Sequence, residues 1–362
     1  MSIRGKLLGA AAGAAGIAVA GSAVRVAHRH RIIAGRGAGE DTPFGSLRSA
    51  PLSVVADDGT DLYVEVDEVP VRGKRAASRS SDDQLTVVFV HGYALNMDCW
   101  HYQRAAYRGQ VRSVFYDQRS HGRSARSPED NCTIEQLGDD LLRVIEATAP
   151  GPVVVVGHSM GGMATISLAQ HHPQLFGDKV VGVALISTTA GGLDSGRVLF
   201  PMLPLPLGLG GRVIGRAVST LDRGHKVIDF LRSRGRDVAE VVTDDLAFGK
   251  DAPRDHVEFV LDMLDRTPFA VVADFWPAFA SLDSFDHLGA LARVPTSVIS
   301  GTDDKIVRLS HSRKLHARIH GSSLLECEGA GHMVIIERPD EVDAELDDLL
   351  DAAAQQIAGR TA

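Results

Sequence analysis

The chain has 362 residues, of which 44% are hydrophobic and 23% are charged. This composition excludes a chain that is disordered throughout, and the length predicts about two domains with a core that needs neither disulfides nor metal ions. Lysine and arginine number 38 against 46 aspartates and glutamates, which gives a net charge of −8. A mildly acidic chain is poorly suited to coat a polyanion, so nucleic acid is not an expected partner.

The three cysteines, Cys99, Cys132 and Cys327, are odd in number and widely spaced, and no C-x-x-C motif occurs. We therefore expect ordinary thiols in a reducing compartment rather than a disulfide framework or a structural zinc site.

Residues 7–24 form an uncharged run at the lower length limit for a membrane span, and most of them are alanine or glycine. Three interpretations are open: an uncleaved membrane anchor, a secretory signal cleaved near Ala20, and a weakly helical extension. The flank after the run is more basic than Arg4 and Lys6 before it. The positive-inside rule therefore favours membrane attachment with the rest of the chain in the cytoplasm.

The next elements in chain order are a linker and a hairpin. Residues 25–50 are rich in glycine, serine and arginine and predict a linker. Two strand-like runs, 52–56 and 62–66, flank an Asp-Asp-Gly-Thr turn, which predicts a β-hairpin. Residues 67–84 are polar and predict an exposed loop.

A series of short apolar runs then alternates with helical segments. The runs are rich in valine and isoleucine and suit strands buried on both faces of a parallel sheet; they are 86–90, 111–116, 153–156, 180–186 and 296–299. Thr133 and Gln136 have the capping-box spacing at the start of a helix. The pattern predicts an α/β fold in which helices flank a mostly parallel central sheet.

The alternation is interrupted between residues 193 and 290, where helical segments occur without a good buried strand. We predict a mainly helical cap inserted into one α/β unit. The expected division is an N-terminal apolar segment with a basic linker at 1–36, a first core part at 37–192, the cap at 193–290 and a second core part at 291–362.

The strongest chemical motif is G-x-S-x-G at residues 157–161, directly after the valine run and before a helical stretch. A serine on such a strand–turn–helix bend is held in a strained backbone conformation and projects its hydroxyl above the sheet. Gly157 and Gly161 allow the strand and the helix to approach each other around Ser159. The sequence therefore predicts that Ser159 is a nucleophile.

A serine nucleophile needs a base, and the base needs an orienting carboxylate. His332 lies in a glycine-rich loop after a late strand-like run at 324–327, where an open α/β sheet carries its site. Asp303 and Asp304 both follow the run that begins at Thr296, and spacing alone does not choose between them. The order serine, acid, histidine along the chain fits this architecture.

An oxyanion requires two backbone donors. One is the N–H of Met160, at the start of the helix after the nucleophile. The other is the N–H of Tyr93, because His91, Gly92 and Tyr93 directly follow the strand at 86–90.

Together these motifs resemble the α/β-hydrolase superfamily, in its branch of esterases, lipases and C–C hydrolases with an inserted cap. The resemblance covers roughly residues 50–358, and its motifs are HGY at 91–93, DQRSHGRS at 117–124, GHSMGG at 157–162, GTDD at 301–304 and GAGHMVIIERPDEV at 329–342. The family's G-x-x-D pattern selects Asp304, with Asp303 as the fallback. Ser120 stands where the family usually has glycine, so we expect a local backbone adjustment without loss of activity. The family's esterases require neither a metal nor an organic cofactor.

The function that the resemblance implies is hydrolysis of a small-molecule or lipid ester. Ser159 would attack the ester carbonyl while His332 takes the proton, and water would then cleave the acyl-enzyme. The uncharged run at 200–211 either lines an acyl pocket or packs the cap onto the core. The first interpretation favours an ester with an apolar acyl group.

Several alternatives share these residues. A C–C bond hydrolase and a cofactor-free perhydrolase use the same triad, whereas family members that cleave epoxides or haloalkanes carry aspartate at the position of Ser159. A non-catalytic ligand-binding protein on the same fold and a membrane-tethered scaffold are the alternatives outside catalysis.

Overall fold

The computed structural model describes residues 42–70, 84–193 and 236–361, together with Arg29 and Ile33. Within these residues eight strands form one sheet in the order β1-β2-β4-β3-β5-β6-β7-β8. The strands are β1 (Pro51–Val55), β2 (Asp61–Asp67), β3 (Thr86–Val90), β4 (Arg112–Tyr116), β5 (Val153–His158), β6 (Val180–Ile186), β7 (Thr296–Gly301) and β8 (Ser323–Cys327). Strands β1, β2 and β4 pair antiparallel, and all the other pairs are parallel.

The helices of the described residues lie between and after these strands. They are α1 (His101–Tyr107), α2 (Ile134–Thr148), α3 (Met160–His171), α4 (Arg236–Ala247), α5 (Arg254–Arg266), α6 (Phe269–Ser281), α7 (Leu309–Arg318), α8 (Val334–Glu337) and α9 (Pro339–Thr361). Short 3-10 helices are found at Met97–Trp100, Glu129–Asn131, Pro173–Leu175 and Phe285–Arg293.

The sheet is covered on both faces, and this explains why its central strands are mostly apolar. Helices α2, α3 and α7 pack with the segment Phe285–Arg293 on one face. Helices α1, α8 and α9 pack on the other. Every residue of β3, β5 and β6 is therefore buried. This is the α/β-hydrolase architecture that the sequence predicts, with a mostly parallel sheet between helices.

The predicted hairpin is confirmed, because β1 and β2 pair antiparallel around a turn in which Gly59 has a φ of +86°. The side chain of Thr133 caps α2 as predicted, since its Oγ1 accepts a hydrogen bond of 3.1 Å from the N–H of Gln136. The second half of the predicted capping box is not formed. The side-chain amide of Gln136 instead points towards Asp140, 3.5 Å away.

Part of the predicted linker at 25–50 is packed against the protein. The ring of Phe44 stacks on Phe259 of α5 at 4.5 Å, and the guanidinium of Arg48 pairs with the buried carboxylate of Asp98. Arg29 forms an ion pair of 3.0 Å with Asp244 of α4. This part of the segment is therefore not a solvated linker. Its aromatic and charged side chains contact the cap helices and the core.

Helices α4, α5 and α6 lie between β6 and β7, where the sequence predicts a helical insertion. Residues 194–235, including the uncharged run at 200–211, lie outside the described residues. The predicted loop at 67–84 is described only to residue 70 and again at residue 84. The exact division of the chain into four parts stays a prediction.

The apolar segment 7–24 also lies outside the described residues. In the part of the chain that the structure describes, no helix combines the length and apolar character needed to cross a bilayer.

Candidate active site

Ser159 lies at the bend between β5 and α3. Its backbone has a φ of 53° and a ψ of −115°, a conformation that costs energy for a residue with a side chain. The bend is so tight that a Cβ on Gly157 would lie 2.6 Å from the carbonyl oxygen of Gly161. The strain and the close approach predicted for this motif are both present.

His332 and Asp304 converge on Ser159 from the loops after β8 and β7. The Nε2 atom of His332 lies 3.0 Å from Oγ of Ser159, and its Nδ1 lies 2.9 Å from Oδ2 of Asp304. All three residues are at least 90% buried. If Nδ1 of His332 donates to the carboxylate, Nε2 is left to accept the proton of the serine hydroxyl, as a base requires.

The two adjacent aspartates differ in their contacts. Asp304 uses Oδ2 for His332, while its Oδ1 accepts hydrogen bonds of 2.8 and 2.9 Å from the N–H groups of Ile306 and Val307. These two backbone donors fix the orientation of the carboxylate. The contact with His332 is therefore made by Asp304, the residue that the resemblance selects, and not by its neighbour Asp303.

The two predicted oxyanion donors are the N–H groups of Tyr93, in the loop after β3, and of Met160, at the start of α3. Tyr93 and Gly92 line the same cavity as Ser159, and a Cβ on Gly92 would lie 3.2 Å from Cβ of Ser159. Met160 is the first residue of α3, so its N–H has no acceptor within the helix. The phenol of Tyr93 donates to the carbonyl oxygen of Val272 in α6, a link between this loop and the cap that the sequence does not reveal.

His91 supports the loop that carries Gly92. Its Nε2 accepts a hydrogen bond of 2.9 Å from the N–H of Gln118, and the side-chain amide of Gln118 donates back to the carbonyl oxygen of His91 at 2.6 Å. Complete burial lowers the pKa of His91 to about 3, so its ring is neutral. The loops after β3 and β4 are thus joined by two hydrogen bonds.

The DQRSHGRS turn is structural. Ser120 has a φ of 65°, in the left-handed region that favours glycine, and its Oγ accepts a hydrogen bond from the N–H of Ser127. The turn therefore holds a serine in a backbone conformation that favours glycine, and a backbone adjustment relative to the family stays a prediction. Arg119 is completely buried and pairs with Asp140 at 2.6 Å and with Asp58 at 2.7 Å.

His158 precedes the candidate nucleophile and has a contact that the sequence does not predict. Its Nε2 donates a hydrogen bond of 3.0 Å to the carbonyl oxygen of His332. Burial, followed by the charge of His332, lowers the pKa of His158 to about 3. The residue thus packs beneath the site, as expected, and also holds the backbone of the candidate base.

A small cavity of about 60 Å³ opens beside Ser159 and His332. Apart from these two residues, Tyr93 and His158, its lining is apolar or glycine: Gly92, Ala94, Leu95, Ala247, Val260, Leu264, Ile306 and Met333. Val260 and Leu264 come from the cap helix α5. No cluster of potential metal ligands is found among the described residues.

The sheet order, the bend at Ser159 and the three converging side chains define the class of protein. Residues 87–345, more than half of the chain, match the alpha/beta hydrolase family. The chain therefore belongs to this family and is a hydrolase.

The individual relatives share little sequence identity with this chain. An uncharacterized protein of Mycobacterium tuberculosis is 27% identical over 289 residues, which cover 74% of this chain and 76% of the relative. An esterase from Thermogutta terrifontis has a similar structure, with a TM-score of 0.63 and 21% identity over 84% of this chain and 99% of its own. An esterase from Exiguobacterium antarcticum has a TM-score of 0.61 and 20% identity over 84% and 100%. Identities this low support a shared fold alone.

Proposed function

We propose that this protein is a serine hydrolase that cleaves carboxylic esters with an apolar acyl group. The observation that carries the proposal is the chain of two hydrogen bonds from Asp304 through His332 to Ser159. In this proposal Ser159 is the nucleophile of acyl transfer, His332 is the base and Asp304 is the acid that orients the base.

The reaction proceeds in two half-reactions. Oγ of Ser159 attacks the ester carbonyl carbon while Nε2 of His332 takes the hydroxyl proton, and the N–H groups of Tyr93 and Met160 stabilise the oxyanion. The intermediate collapses, the alcohol leaves with the proton from His332, and the acyl group stays on Ser159. Water, deprotonated by His332, then releases the acid and restores the serine. Neither half-reaction requires a metal or an organic cofactor.

The apolar lining supports the choice of acyl group. Leu95, Val260 and Leu264 present hydrocarbon to the cavity beside Ser159, where a charged acyl chain would lose its hydration without a compensating partner. The cavity is small, so esters of short acyl chains fit the described part of the site.

The test uses the full-length protein and p-nitrophenyl esters of increasing acyl length, from acetate to palmitate. We expect hydrolysis with an optimum at a short chain, and loss of activity in Ser159→Ala and His332→Ala. Ser167→Ala is the matched control, because Ser167 is a buried serine of the same helix α3. A fluorophosphonate should label Ser159 in the wild type and in the control.

Other outcomes would point to other functions. Labelling of Ser159 without hydrolysis of any ester would favour a C–C bond hydrolase or a perhydrolase. A protein that is not labelled and binds esters unchanged would be a ligand-binding protein on this fold.

We further propose that residues 7–24 attach the protein to a membrane, with the catalytic domain in the cytoplasm. The uncharged run and its basic C-terminal flank support this proposal. The full chain should sediment with membranes and resist protease added outside intact cells. A soluble protein in the medium that begins near Ala20 would instead show secretion.

A further inference from the structure

Glu337, the last residue of α8, joins two segments that are far apart in sequence. Its Oε2 accepts a hydrogen bond of 2.7 Å from the N–H of Gly249, and its Oε1 accepts one of 2.8 Å from the N–H of Gly331. Gly249 follows the cap helix α4, and Gly331 precedes the candidate base His332.

The same two segments are packed backbone against backbone. The N–H of Met333 donates a hydrogen bond of 2.9 Å to the carbonyl oxygen of Ala247, the last residue of α4. A Cβ on Gly249 would lie 1.9 Å from the carbonyl oxygen of Gly329, and one on Gly331 would lie 2.4 Å from the carbonyl carbon of Phe248. Glycine is required on both sides because neither position leaves room for a side chain.

His332 is therefore held from both sides. The residue before it is bonded to Glu337, and the residue after it is bonded to the end of a cap helix. We propose that Glu337 is a positioning residue, whose ionised carboxylate ties the loop of His332 to the end of cap helix α4 and so keeps the base within reach of Ser159. This inference rests on the proposed role of His332 as the base.

The two hydrogen bonds that Glu337 accepts from Gly249 and Gly331 form a bridge, and this bridge needs the ionised form of the carboxylate. Only an ionised carboxylate accepts on both oxygens without a competing proton. Burial, chiefly, and the negative charge of Asp304 raise the pKa of Glu337 to about 7, while its two backbone donors and Arg338 lower it. At the cap side, Asp245 of α4 is paired with Lys305 at 3.0 Å. The bridge therefore weakens as the pH falls through about 7.

The test measures the rate at which a fluorophosphonate labels Ser159 as a function of pH, in the full-length wild type and in Glu337→Gln. This rate depends on His332 but not on the identity of the natural substrate. The glutamine directs an N–H₂ group at one of the two backbone donors, so one bond of the bridge is lost at every pH. The control is Glu341→Gln, which removes an exposed carboxylate one turn further along, in the first turn of α9.

We expect Glu337→Gln to be labelled about tenfold more slowly at pH 8, since a small misplacement of a catalytic group is costly. Near pH 5.5 its rate should approach that of the wild type, because Glu337 is then protonated in the wild type as well. The slope of log rate against pH on the acid side should lie between about one and two in the wild type and near one in the variant. Glu341→Gln should follow the wild type.

The wild-type slope needs no variant, so the inference can be tested even if Glu337→Gln does not fold. A labelled wild type with an acid slope of one, or a folded Glu337→Gln that keeps the wild-type rate at pH 8, would overturn the positioning role alone. A wild type that is not labelled at any pH would overturn the proposed serine mechanism, and the positioning role with it.

Discussion

The carbonyl oxygen of Val90 at the end of β3 lies 2.1 Å from the point where a Cβ on Gly161 would stand. Helix α3 therefore passes the end of β3 at a distance that only glycine permits. This approach sets the height of Ser159 above the sheet, because Gly161 and Ser159 belong to the same bend.

Replacing Gly161 by alanine should destabilise the protein by about 3 kcal/mol, since the new methyl group meets backbone that cannot move independently. The free energy of unfolding in urea measures the change. Gly359→Ala is the control, because Gly359 lies in α9 with no neighbouring segment within 4 Å of the point where its Cβ would stand. That substitution should stabilise by about 0.5–1 kcal/mol through helix propensity. Equal effects at the two sites would contradict the packing argument.

Replacing Asp304 by asparagine should lower kcat by about 10⁴-fold. The N–H groups of Ile306 and Val307 keep an acceptor oxygen on their side, so the new N–H₂ group faces Nδ1 of His332. Nδ1 is then forced to accept, Nε2 carries the proton, and His332 cannot deprotonate Ser159.

Asp303→Asn is the matched control and should retain most of the activity, measured on the same ester. A large loss in Asp303→Asn together with an active Asp304→Asn would show that the acid has been assigned to the wrong aspartate.

Replacing Arg119 by methionine should destabilise the protein by about 3–5 kcal/mol, because it leaves the buried carboxylate of Asp140 without its partner. Chemical denaturation measures the loss. Arg143→Met tests the same change in an exposed ion pair of helix α2 and should leave the midpoint nearly unchanged. A small effect at Arg119 would mean that water or another cation reaches Asp140.

Replacing His158 by glutamine should make stability less dependent on pH in acid. The pKa of His158 falls from 6.5 to about 3 on folding, so the folded protein binds fewer protons than the unfolded chain between these values. The contribution of this histidine is therefore present above pH 6.5 and is lost as the pH falls towards 3.

The slope of unfolding free energy against pH should decrease by up to about 1.4 kcal/mol per pH unit in this range for His158→Gln. The glutamine amide can still donate to the carbonyl oxygen of His332, so the site is disturbed little. An unchanged slope would show that His158 is not the group that titrates.

Local pattern is sufficient for much of the fold. The valine run of β5, the hairpin of β1 and β2 around its Asp-Asp-Gly-Thr turn and the cap of α2 at Thr133 are decided by neighbours in sequence, and the structure contains all of them. The packing of Phe44 on Phe259 could not be predicted from the sequence. Phe44 is a single aromatic residue in a segment rich in glycine and serine, so no apolar periodicity marks it as a packed residue. The second hydrogen bond of the capping box is predicted but not formed, and the amide of Gln136 lies 3.5 Å from Asp140 instead.

The sequence by itself determined the order of serine, acid and histidine and the glycines around Ser159, because strand, turn and helix signals are local. Spacing alone left Asp303 and Asp304 open, and the resemblance to the family selected Asp304, which contacts His332 in the structure. Only the tertiary structure decided that His158 bonds to the backbone of the base and that Glu337 bridges Gly249 and Gly331. Each of these contacts joins segments that belong to different strands or to the cap. Their geometry depends on how the sheet and its insertion pack, which no short stretch of sequence encodes.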